Sequence, residues 1–382
     1  MKLVYVYSEI VIKGGTDKVI VDKANYFSNH GYEVVVITES QMNREFAFPL
    51  DSKVKHIDMG LDFNEQYHNG MLKRAYIYFS LMIKYRKRLT AVLRELKPDI
   101  VINTMGRSLI FISGIHDGSI KIAEAHTTKE HLRSLHLMEQ RGGLYKLIAK
   151  YMRRQMSRKV SQLDAIVLLT TQDAMSWKEA KQVHVIPNAL SVFPTTRAEL
   201  INNQVIMVGR YNDAKGYDFL IPAWDIIHRR YPDWTLNVYG SGELHDQVVR
   251  WIEDRHLEKS VILHEPTSKI LDKYMESSIC ILSSRYEGFS MVLIEAMSCG
   301  VPCVSFDTPF GPQNIISNGI DGLLVDYLNI QALADGVSKL IEDRSLREKL
   351  GKNAQLSVQR YSQDNVMQLW TNLFYSLKNE KE

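Results

Sequence analysis

Two glutamates separated by seven residues stand where a buried strand gives way to a helix. The apolar run 279–282 predicts the strand, Glu287 falls in the loop that follows, and Glu295 falls inside the helix. Gly288 lets the backbone of that loop approach a ligand closely. Three amides at the start of the helix lack a partner within it and can bind an anion: those of Ser290, Met291 and Val292. Carboxylates on both sides of an anion site suit a ligand with phosphates in its middle and hydroxyls at both ends, as in a nucleotide sugar.

Two cations, Arg210 and Lys215, follow another predicted strand, over 204–208. A diphosphate that departs from a sugar gains negative charge as the glycosidic bond breaks. Cations placed at that point stabilise the transition state more than the ground state. The simpler interpretation is a pair of surface charges in a loop, and this segment alone does not exclude it.

Residues 284–302, S-R-Y-E-G-F-S-M-V-L-I-E-A-M-S-C-G-V-P, resemble the signature of the retaining glycosyltransferases of family four, which have the GT-B fold. Three further segments resemble motifs of that family: Gly14-Gly15, Val208-Gly209-Arg210 with Lys215-Gly216, and 311–316 with Gly319 and 321–325. The resemblance is dense in the second half of the chain and sparse in the first. Four motifs in the family's order indicate much more than an isolated pair of glutamates would.

The resemblance implies roles for individual residues. Donor binding is implied for Gly15, Arg210, Lys215, Glu287, Gly288, Ser290, Met291, Val292 and Glu295. In that family, Glu287 would contact hydroxyls of the donor sugar and Glu295 would accept hydrogen bonds from ribose. The base would stack near 264–267. Catalytic contributions are implied for His126, Arg210, Lys215 and Glu287.

His126 ends the predicted strand 120–125. The resemblance implies that its backbone or ring contacts the donor sugar close to the reacting carbon. The alternative is an ordinary histidine at the end of a strand. Near the start of the chain, Gly14-Gly15 precede a predicted helix, and Lys13 beside them would add positive charge to that loop.

The resemblance also implies a mechanism. The new bond keeps the α configuration of the donor, and the departing phosphate helps to deprotonate the acceptor. No protein nucleophile and no cofactor are then expected. The sequence has no clear Asp-x-Asp metal motif, which agrees with a metal-independent reaction, because cationic side chains can take the place of the metal.

Apolar strand-like runs alternate with helical stretches along the whole sequence. Strands are predicted over 2–7, 33–38, 99–103, 120–125 and 165–169, and then over 204–208, 234–239, 260–263, 279–282, 301–305 and 322–325. Continuous Val- and Ile-rich runs between helices indicate parallel sheets that are buried on both faces. We therefore expect an α/β protein with two doubly wound, Rossmann-like domains.

The break between the domains is predicted near 187–203. Residues 1–190 would form the acceptor-binding domain and 200–360 the domain that binds the nucleotide sugar. By resemblance, a last helix over 362–379 packs back onto the first domain. Ligands of open parallel sheets bind beyond the carboxyl ends of the strands, so the predicted site residues would face one cleft between the two domains.

The formal net charge of +3 is unevenly distributed, with +9 on residues 1–190 and −6 on residues 191–382. Two predicted helices in the first half, near 71–97 and 144–159, interleave Lys and Arg with apolar side chains. Helices of this kind can lie on an anionic membrane surface. Surface helices with their apolar faces in the core would give the same pattern. Neither helix carries a nucleic-acid-binding motif.

The sequence favours a cytoplasmic protein, and its basic helices favour contact with the inner face of the membrane. No run approaches the roughly 20 apolar residues of a membrane span. The N-terminus enters a predicted strand directly, without a secretory signal. An odd number of cysteines without ligand spacing, namely Cys280, Cys299 and Cys303, indicates reduced thiols rather than disulfides or a metal site.

Together these patterns predict an enzyme of cell-surface polysaccharide synthesis. It would move a hexose or N-acetylhexosamine from a UDP-sugar to a glycan or lipid-linked glycan. Three alternatives stay open: a GDP-mannose-dependent mannosyltransferase, a nicotinamide-dependent oxidoreductase, and a non-catalytic protein that binds sugar nucleotides. The oxidoreductase would need G-x-G-x-x-G after the first strand, and residues 8–15 lack it.

Overall fold

The computed structural model describes residues 1–11, 14–68 and 70–381. The chain divides into two compact units, each with its own parallel sheet. The first unit comprises 1–187 and 367–382, and the second comprises 188–366.

The first unit is built on a seven-stranded parallel sheet in the order β3-β2-β1-β4-β5-β6-β7. Its strands are β1 (Lys2–Tyr7), β2 (Glu33–Thr38), β3 (Lys55–Asp58), β4 (Ile100–Asn103), β5 (Ile120–Glu124), β6 (Ala165–Leu168) and β7 (Val183–Val185). The inner strands are mostly Val and Ile because helices cover both faces of the sheet, although β5 also carries Lys121 and Glu124.

Helices of very different lengths connect the strands of the first unit. They are α1 (Gly15–Asn29), α2 (Met71–Leu96), α3 (Leu135–Gln140), α4 (Gly143–Val160) and α5 (Thr171–Ala174). Short 3₁₀ turns lie at Glu65–His68, Arg107–Ile110, Ile112–Gly114 and Leu132–Ser134.

The second unit has a six-stranded parallel sheet in the order β10-β9-β8-β11-β12-β13. Its strands are β8 (Gln204–Val208), β9 (Thr235–Tyr239), β10 (Val261–His264), β11 (Ile279–Leu282), β12 (Cys303–Phe306) and β13 (Gly322–Val325). Its helices are α6 (Tyr217–Arg230), α7 (His245–Glu253), α8 (Ile270–Met275), α9 (Met291–Ser298), α10 (Pro312–Ile315), α11 (Ile330–Glu342) and α12 (Arg344–Ser357). Two 3₁₀ turns lie at Asp213–Lys215 and Val358–Tyr361.

The last helix, α13 (Gln363–Asn379), packs its apolar face into the first unit from Met367 onwards. Phe374 is fully buried, and its ring centroid lies 5.4 Å from that of Phe27 in α1. Trp370, one turn earlier, is also buried. Residues three or four apart share one face of a helix, so these two aromatic side chains enter the core together.

Every strand predicted from the sequence is present, with ends shifted by two residues or fewer. Two further strands, β3 and β7, were not predicted. Both lie at the edges of the first sheet and are partly exposed. An edge strand has a neighbour on one side only and need not be uniformly apolar, so it lacks the Val- and Ile-rich signal of the inner strands.

No helix in the described ranges is long and apolar enough to cross a membrane.

We expect Phe374→Ala to destabilise the protein by about 3 to 5 kcal/mol, because the substitution leaves a cavity against Phe27. The control is Leu369→Ala. The side chain of Leu369 is 44% exposed on the same helix, so its removal should change stability little. Urea unfolding of both variants measures the difference. Equal midpoints for the two variants would contradict the packing of α13 described above.

Candidate active site

Three loops of the second unit meet at the carboxyl edge of its sheet. They follow β8, β11 and β12, which are neighbouring parallel strands. The carboxyl ends of parallel strands lie on one edge, which is where ligands of open α/β sheets bind. The predicted residues Arg210, Lys215, Glu287 and Gly288 lie on the first two of these loops.

Lys215 and Glu287 form an ion pair across two of these loops. The Lys215 Nζ atom donates to Oε1 of Glu287 at 2.7 Å, and the two side chains are 18% and 11% exposed. The hydroxyl of Ser284 donates to the same oxygen at 2.7 Å. One carboxylate oxygen therefore takes both donors, and the other oxygen of Glu287 has no partner in the described part of the chain.

The backbone fixes the position of this pair. Ser283 donates its hydroxyl to the carbonyl of Lys215 at 2.8 Å, and the amide of Arg285 donates to the carbonyl of Ala214 at 2.8 Å. Gly216 has φ +64°, and a Cβ atom there would overlap the carbonyl oxygen of Ser283. Glycine is therefore required at the point where the two loops touch.

The third loop contacts the pair through Gly311. This residue has φ +86°, and a Cβ atom on it would lie 2.8 Å from the Cβ atom of Glu287. Any side chain here would be strained and would push Glu287 out of place. The glycine is part of the segment 311–316 that resembles a family motif, and the structure shows the contact that requires it.

Arg210 is exposed at the end of the first loop. None of the residues that the structure describes gives its guanidinium a hydrogen bond or an ion pair. The backbone next to it is fixed, because Tyr217 donates its hydroxyl to the carbonyl of Gly209 at 2.8 Å. Arg210 thus presents planar donors to solvent at the same sheet edge as Lys215, an arrangement suited to a phosphate.

The amino end of α9 lies just after Glu287. Ser290 is the N-cap residue, and its side chain makes no capping hydrogen bond. Its hydroxyl is buried and has no partner among the described atoms. The amides of Met291 and Val292 belong to the first helical turn, where no intrahelical acceptor exists. Unsatisfied donors and the positive end of the helix dipole favour an anion here.

Glu295 lies one turn further along α9 and is partly buried. It is four residues after Met291 and therefore shares that residue's face of the helix. Its neighbours Ile294 and Ala296 are fully buried. A carboxylate so close to the core does not lie on an ordinary solvated face, and its role in holding ribose hydroxyls stays a prediction.

The loop predicted to stack the base begins at the end of β10. The ring of His264 stacks on that of Tyr239, with centroids 4.4 Å apart and planes at 11°. The Nε2 atom of His264 lies 2.9 Å from Oδ1 of Asn237. The stacked rings are a flat surface at the same sheet edge, and base stacking on this loop stays a prediction.

His126 belongs to the first unit, where it follows β5. Its side chain is 6% exposed, and its Nε2 atom lies 3.4 Å from Oε1 of Glu124. Neither ring nitrogen has a hydrogen-bond partner in the described ranges. Burial lowers the pKa of His126 to about 4; Glu124 opposes this shift and Lys23 adds to it. The imidazole is therefore neutral near pH 7, with one donor and one acceptor nitrogen.

A buried ion pair lies next to His126. Lys23 of α1 donates to Glu124 of β5, and their side chains are 2% and 1% exposed. The Nζ atom of Lys23 also lies 4.4 Å from the ring centroid of Trp370. Burial acts to raise the pKa of Glu124, but the attraction of Lys23 holds it below its ordinary value. Loss of either partner would leave a buried charge without compensation.

Gly15 is the first residue of α1, and Gly14 before it is the N-cap. The N-cap makes no side-chain hydrogen bond, so this helix start also has free amides. Lys13, which we expected to add charge to this loop, lies outside the described residues. The prediction that these first-unit residues and those of the second unit face one cleft stays a prediction.

Sequence reasoning assigned no role to Ser284 or Lys23. Ser284 stands three residues before Glu287 inside the family motif, which is a spacing that allows a local hydrogen bond to the carboxylate. Lys23 interrupts an otherwise apolar face of α1 made by Val19, Ile20 and Ala24. A single charged residue on a buried face indicates a buried partner, so the sequence did contain a sign of the Lys23 ion pair.

No group of three His, Cys, Asp or Glu side chains that could hold a metal ion occurs in the described ranges.

Two family models together match most of the sequence. The model described as "Glycosyl transferases group 1" matches residues 195–357, and the model described as "Glycosyltransferase Family 4" matches residues 13–192. The first range contains every predicted donor-binding residue of the second unit, and the second contains Gly15 and His126.

Known proteins resemble the chain over almost its whole length. An uncharacterized glycosyltransferase of Haemophilus influenzae is 28% identical over 94% of this chain and 95% of its own. The amylovoran biosynthesis glycosyltransferase AmsD of Erwinia amylovora is 27% identical over 97% and 99%. Among solved structures, a mutant of TarM from S. aureus, in complex with Fondaparinux, alpha-GlcNAc-glycerol and UDP, superposes with a TM-score of 0.78 at 16% identity. That match covers 98% of this chain and 100% of TarM.

Two doubly wound parallel sheets, with cations and helix amides at the carboxyl edge of the second, define the GT-B class of α/β transferases. The chain belongs to the family-four glycosyltransferases and is a transferase enzyme. The oxidoreductase and the non-catalytic binding protein that the sequence left open are therefore wrong.

The lowered pKa of His126 makes stability depend on pH in a defined direction. Between pH 6.5 and about pH 4, the unfolded chain takes up a proton at this side chain that the folded chain does not. We expect stability to fall as the pH drops through this range, by up to about 3 kcal/mol from this residue. His126→Gln should lose less stability over the same range in urea unfolding. Parallel pH profiles for the two proteins would contradict the neutral, buried histidine.

Proposed function

We propose that the protein transfers a hexose or N-acetylhexosamine from a UDP-sugar to a hydroxyl of a glycan or lipid-linked glycan, with retention of configuration. The observation that carries the proposal is the set of polar groups at one sheet edge: the Arg210 guanidinium, the Lys215–Glu287 pair and the free amides of α9. Phosphates and sugar hydroxyls are the groups that this combination binds best.

The comparisons support a UDP-linked donor and a cell-surface product. TarM was solved with UDP, and AmsD is named for amylovoran biosynthesis. In the proposed complex, Arg210 and Lys215 contact the diphosphate and Gly288, Ser290, Met291 and Val292 bring backbone amides to it. Glu295 accepts from ribose, while the open oxygen of Glu287 accepts from the sugar.

In the proposed reaction, the acceptor oxygen bonds to the anomeric carbon on the face from which the diphosphate leaves. The bond from that carbon to the diphosphate oxygen breaks, and the hydroxyl proton passes to the departing phosphate. No protein nucleophile and no cofactor take part. Arg210 and Lys215 supply the positive charge that a metal ion would otherwise bring to the leaving group.

His126 has a different part in this proposal. The buried ring nitrogens of His126 make no hydrogen bond to described atoms, so a sugar hydroxyl that reached the neutral imidazole would find one donor and one acceptor there. With its pKa lowered to about 4 by burial, it stays uncharged and does not compete with Arg210 and Lys215 for the phosphates. Gly15, at the start of α1, would bring further amides to the donor.

The residues that bind the acceptor are proposed to lie in the first unit, within the predicted acceptor domain 1–190. A lipid-linked glycan would meet the enzyme in the cytoplasm at the inner face of the membrane. No nucleic acid is expected as a partner.

The nucleotide specificity is tested by thermal unfolding with UDP, GDP, ADP or NAD at equal excess. A ligand that binds only the folded state raises the unfolding midpoint. At a concentration a hundredfold above its Kd, the ligand adds about 2.7 kcal/mol to the free energy of unfolding. We expect a rise with UDP alone. A rise with GDP alone would move the donor to GDP-mannose and overturn the UDP assignment. No rise with any nucleotide would overturn the donor site.

Replacement of the phosphate-binding cations should slow transfer strongly. We expect Arg210→Ala and Lys215→Ala each to lower kcat by about a hundredfold to a thousandfold, as loss of one transition-state donor does elsewhere. The control is Arg229→Ala, because Arg229 lies on α6, is 76% exposed and forms its ion pair with Asp225 on the same helix. The measurement is the initial rate of UDP release from the donor sugar, with and without EDTA. Wild-type rates in either variant, or loss of activity with EDTA, would contradict the metal-independent site.

Glu287→Gln separates binding from chemistry. The amide keeps the shape of the side chain but weakens its contact with Lys215 and with sugar hydroxyls. We expect kcat to fall by about a hundredfold, while UDP without a sugar still raises the unfolding midpoint. An unchanged kcat would remove Glu287 from the sugar site. A separate variant, Ser284→Ala, removes the hydroxyl that donates to Glu287 and shows how far that hydrogen bond orients the carboxylate.

A further inference from the structure

The long helix α2 exposes a row of large apolar side chains. Leu72, Tyr76, Phe79 and Ile83 are between 64% and 87% exposed. They recur at intervals of four, three and four residues, so they form one continuous stripe along the N-terminal half of the helix. We call this stripe the α2 row.

A second row lies on the N-terminal half of α4. Leu144, Leu147, Ile148 and Tyr151 are 70%, 65%, 39% and 67% exposed. Their spacing also places them on one face. We call this stripe the α4 row.

These rows are not the faces that pack into the core. On α2, Tyr85, Leu89 and Leu93 are fully buried, and Tyr85 is rotated by about half a turn from Ile83. On α4, the buried residues are Ala149, Met156 and Val160. Each helix therefore has one apolar face inside the unit and a second one outside it. The simpler interpretation of the sequence, that the apolar side chains of these helices enter the core, accounts for the first face only.

The charges beside the rows are almost all positive. Glu95 is the only carboxylate in α2, and α4 contains none. Exposed cations flank the rows: Lys73, Lys84 and Lys87 on α2, and Lys146, Lys150 and Arg154 on α4. No described carboxylate forms an ion pair with any of these six. Rows of large exposed apolar side chains mark a candidate interaction site, and cations around them without a described ion pair indicate an anionic partner.

We propose that the α2 and α4 rows dock the first unit on the surface of an anionic lipid bilayer. Leu, Ile and Phe side chains would enter the boundary between headgroups and acyl chains, and the tyrosines would lie at headgroup depth. The flanking lysines and arginines would contact lipid phosphates, each adding to binding while the ionic strength is low. The helices would lie along the surface rather than span it.

The docked orientation follows from the topology of the first sheet. Helices α2 and α4 follow β3 and β5, so their N-terminal halves lie at the carboxyl edge of the sheet, as His126 does. Arg153 of α4 donates to the carbonyl of Lys129, three residues beyond His126, at 2.9 Å. The bilayer would therefore lie along the edge that carries His126. If the proposed function holds, this places a lipid-linked acceptor next to the edge that binds it.

Vesicle flotation tests the docking surface with the full chain. The probes are vesicles of equimolar phosphatidylcholine and phosphatidylglycerol, and vesicles of phosphatidylcholine alone. The row variant carries Leu72→Ser, Phe79→Ser and Ile83→Ser. The matched control carries Met175→Ser, Ile320→Ser and Leu356→Ser, which are 60% to 68% exposed at other sites. Because all six positions are exposed, both variants should fold, and their unfolding midpoints check this.

We expect the wild-type protein and the control to float with the anionic vesicles, less with the neutral ones, and less again at high salt. The row variant should bind the anionic vesicles about tenfold more weakly or worse. Equal flotation of row variant and wild type, or no flotation of the wild type, would overturn the proposal. A wild-type dimer that the row variant abolishes in light scattering would also overturn it, because a second copy would then cover the rows.

The same proteins keep this proposal separate from the proposed function. UDP should raise the unfolding midpoint of the row variant as it does that of the wild type, because the rows lie outside the donor site. Flotation without any response to UDP would leave the docking surface standing and reject the donor assignment.

Discussion

The ion pair between Lys215 and Glu287 is the contact on which the arrangement of the second unit's site depends. It joins the loop after β8 to the loop after β11, and Gly216 and Gly311 give those loops the room to meet. Both side chains are largely shielded from water, so the attraction between their charges is screened less than in a surface ion pair. A donor that brings phosphates to Lys215 would compete with Glu287 for the ammonium group. The geometry therefore holds a cation and an acceptor oxygen ready, in the absence of donor, at positions where both would be needed.

The charged residues of the two sites differ in how far they are buried. In the second unit Arg210 is exposed and Lys215 is partly exposed, which suits a ligand that carries charge itself. In the first unit, Lys23 and Glu124 are fully buried and neutralise each other, and His126 beside them is kept uncharged by desolvation. A buried ion pair is weak evidence of stability. It does fix the positions of α1 and β5 relative to each other, and thereby the position of the histidine that follows β5.

The sequence predicted the inner strands well, because they leave a local signal, and the second-unit site residues were predicted from a signal of the same local kind. A buried parallel strand is continuously apolar, and a loop-to-helix anion site needs glycine and free amides in a short segment. Edge strands β3 and β7 leave no such signal. The Lys23–Glu124 pair joins residues a hundred positions apart, and hydrophobic periodicity carries no information about contacts at that distance. Ser284 was visible inside the motif, but its hydrogen bond to Glu287 depends on the path of the loop.

The apolar rows show a further limit of periodicity. In α2, the residues that enter the core and those that face outwards are both large and apolar, so a pattern of spacing cannot say which face is buried. Burial decides which face is inside, and charge agrees with it. The cations that flank the exposed rows form no ion pair with a described carboxylate, and the two helices carry almost no carboxylates themselves. The excess of +9 on residues 1–190 is therefore not spread evenly over the first half of the chain. A soluble helix gains nothing from exposing leucine, phenylalanine and isoleucine to water next to unpaired lysines. A helix at a lipid surface gains from both, since the apolar side chains leave water and the cations meet phosphates.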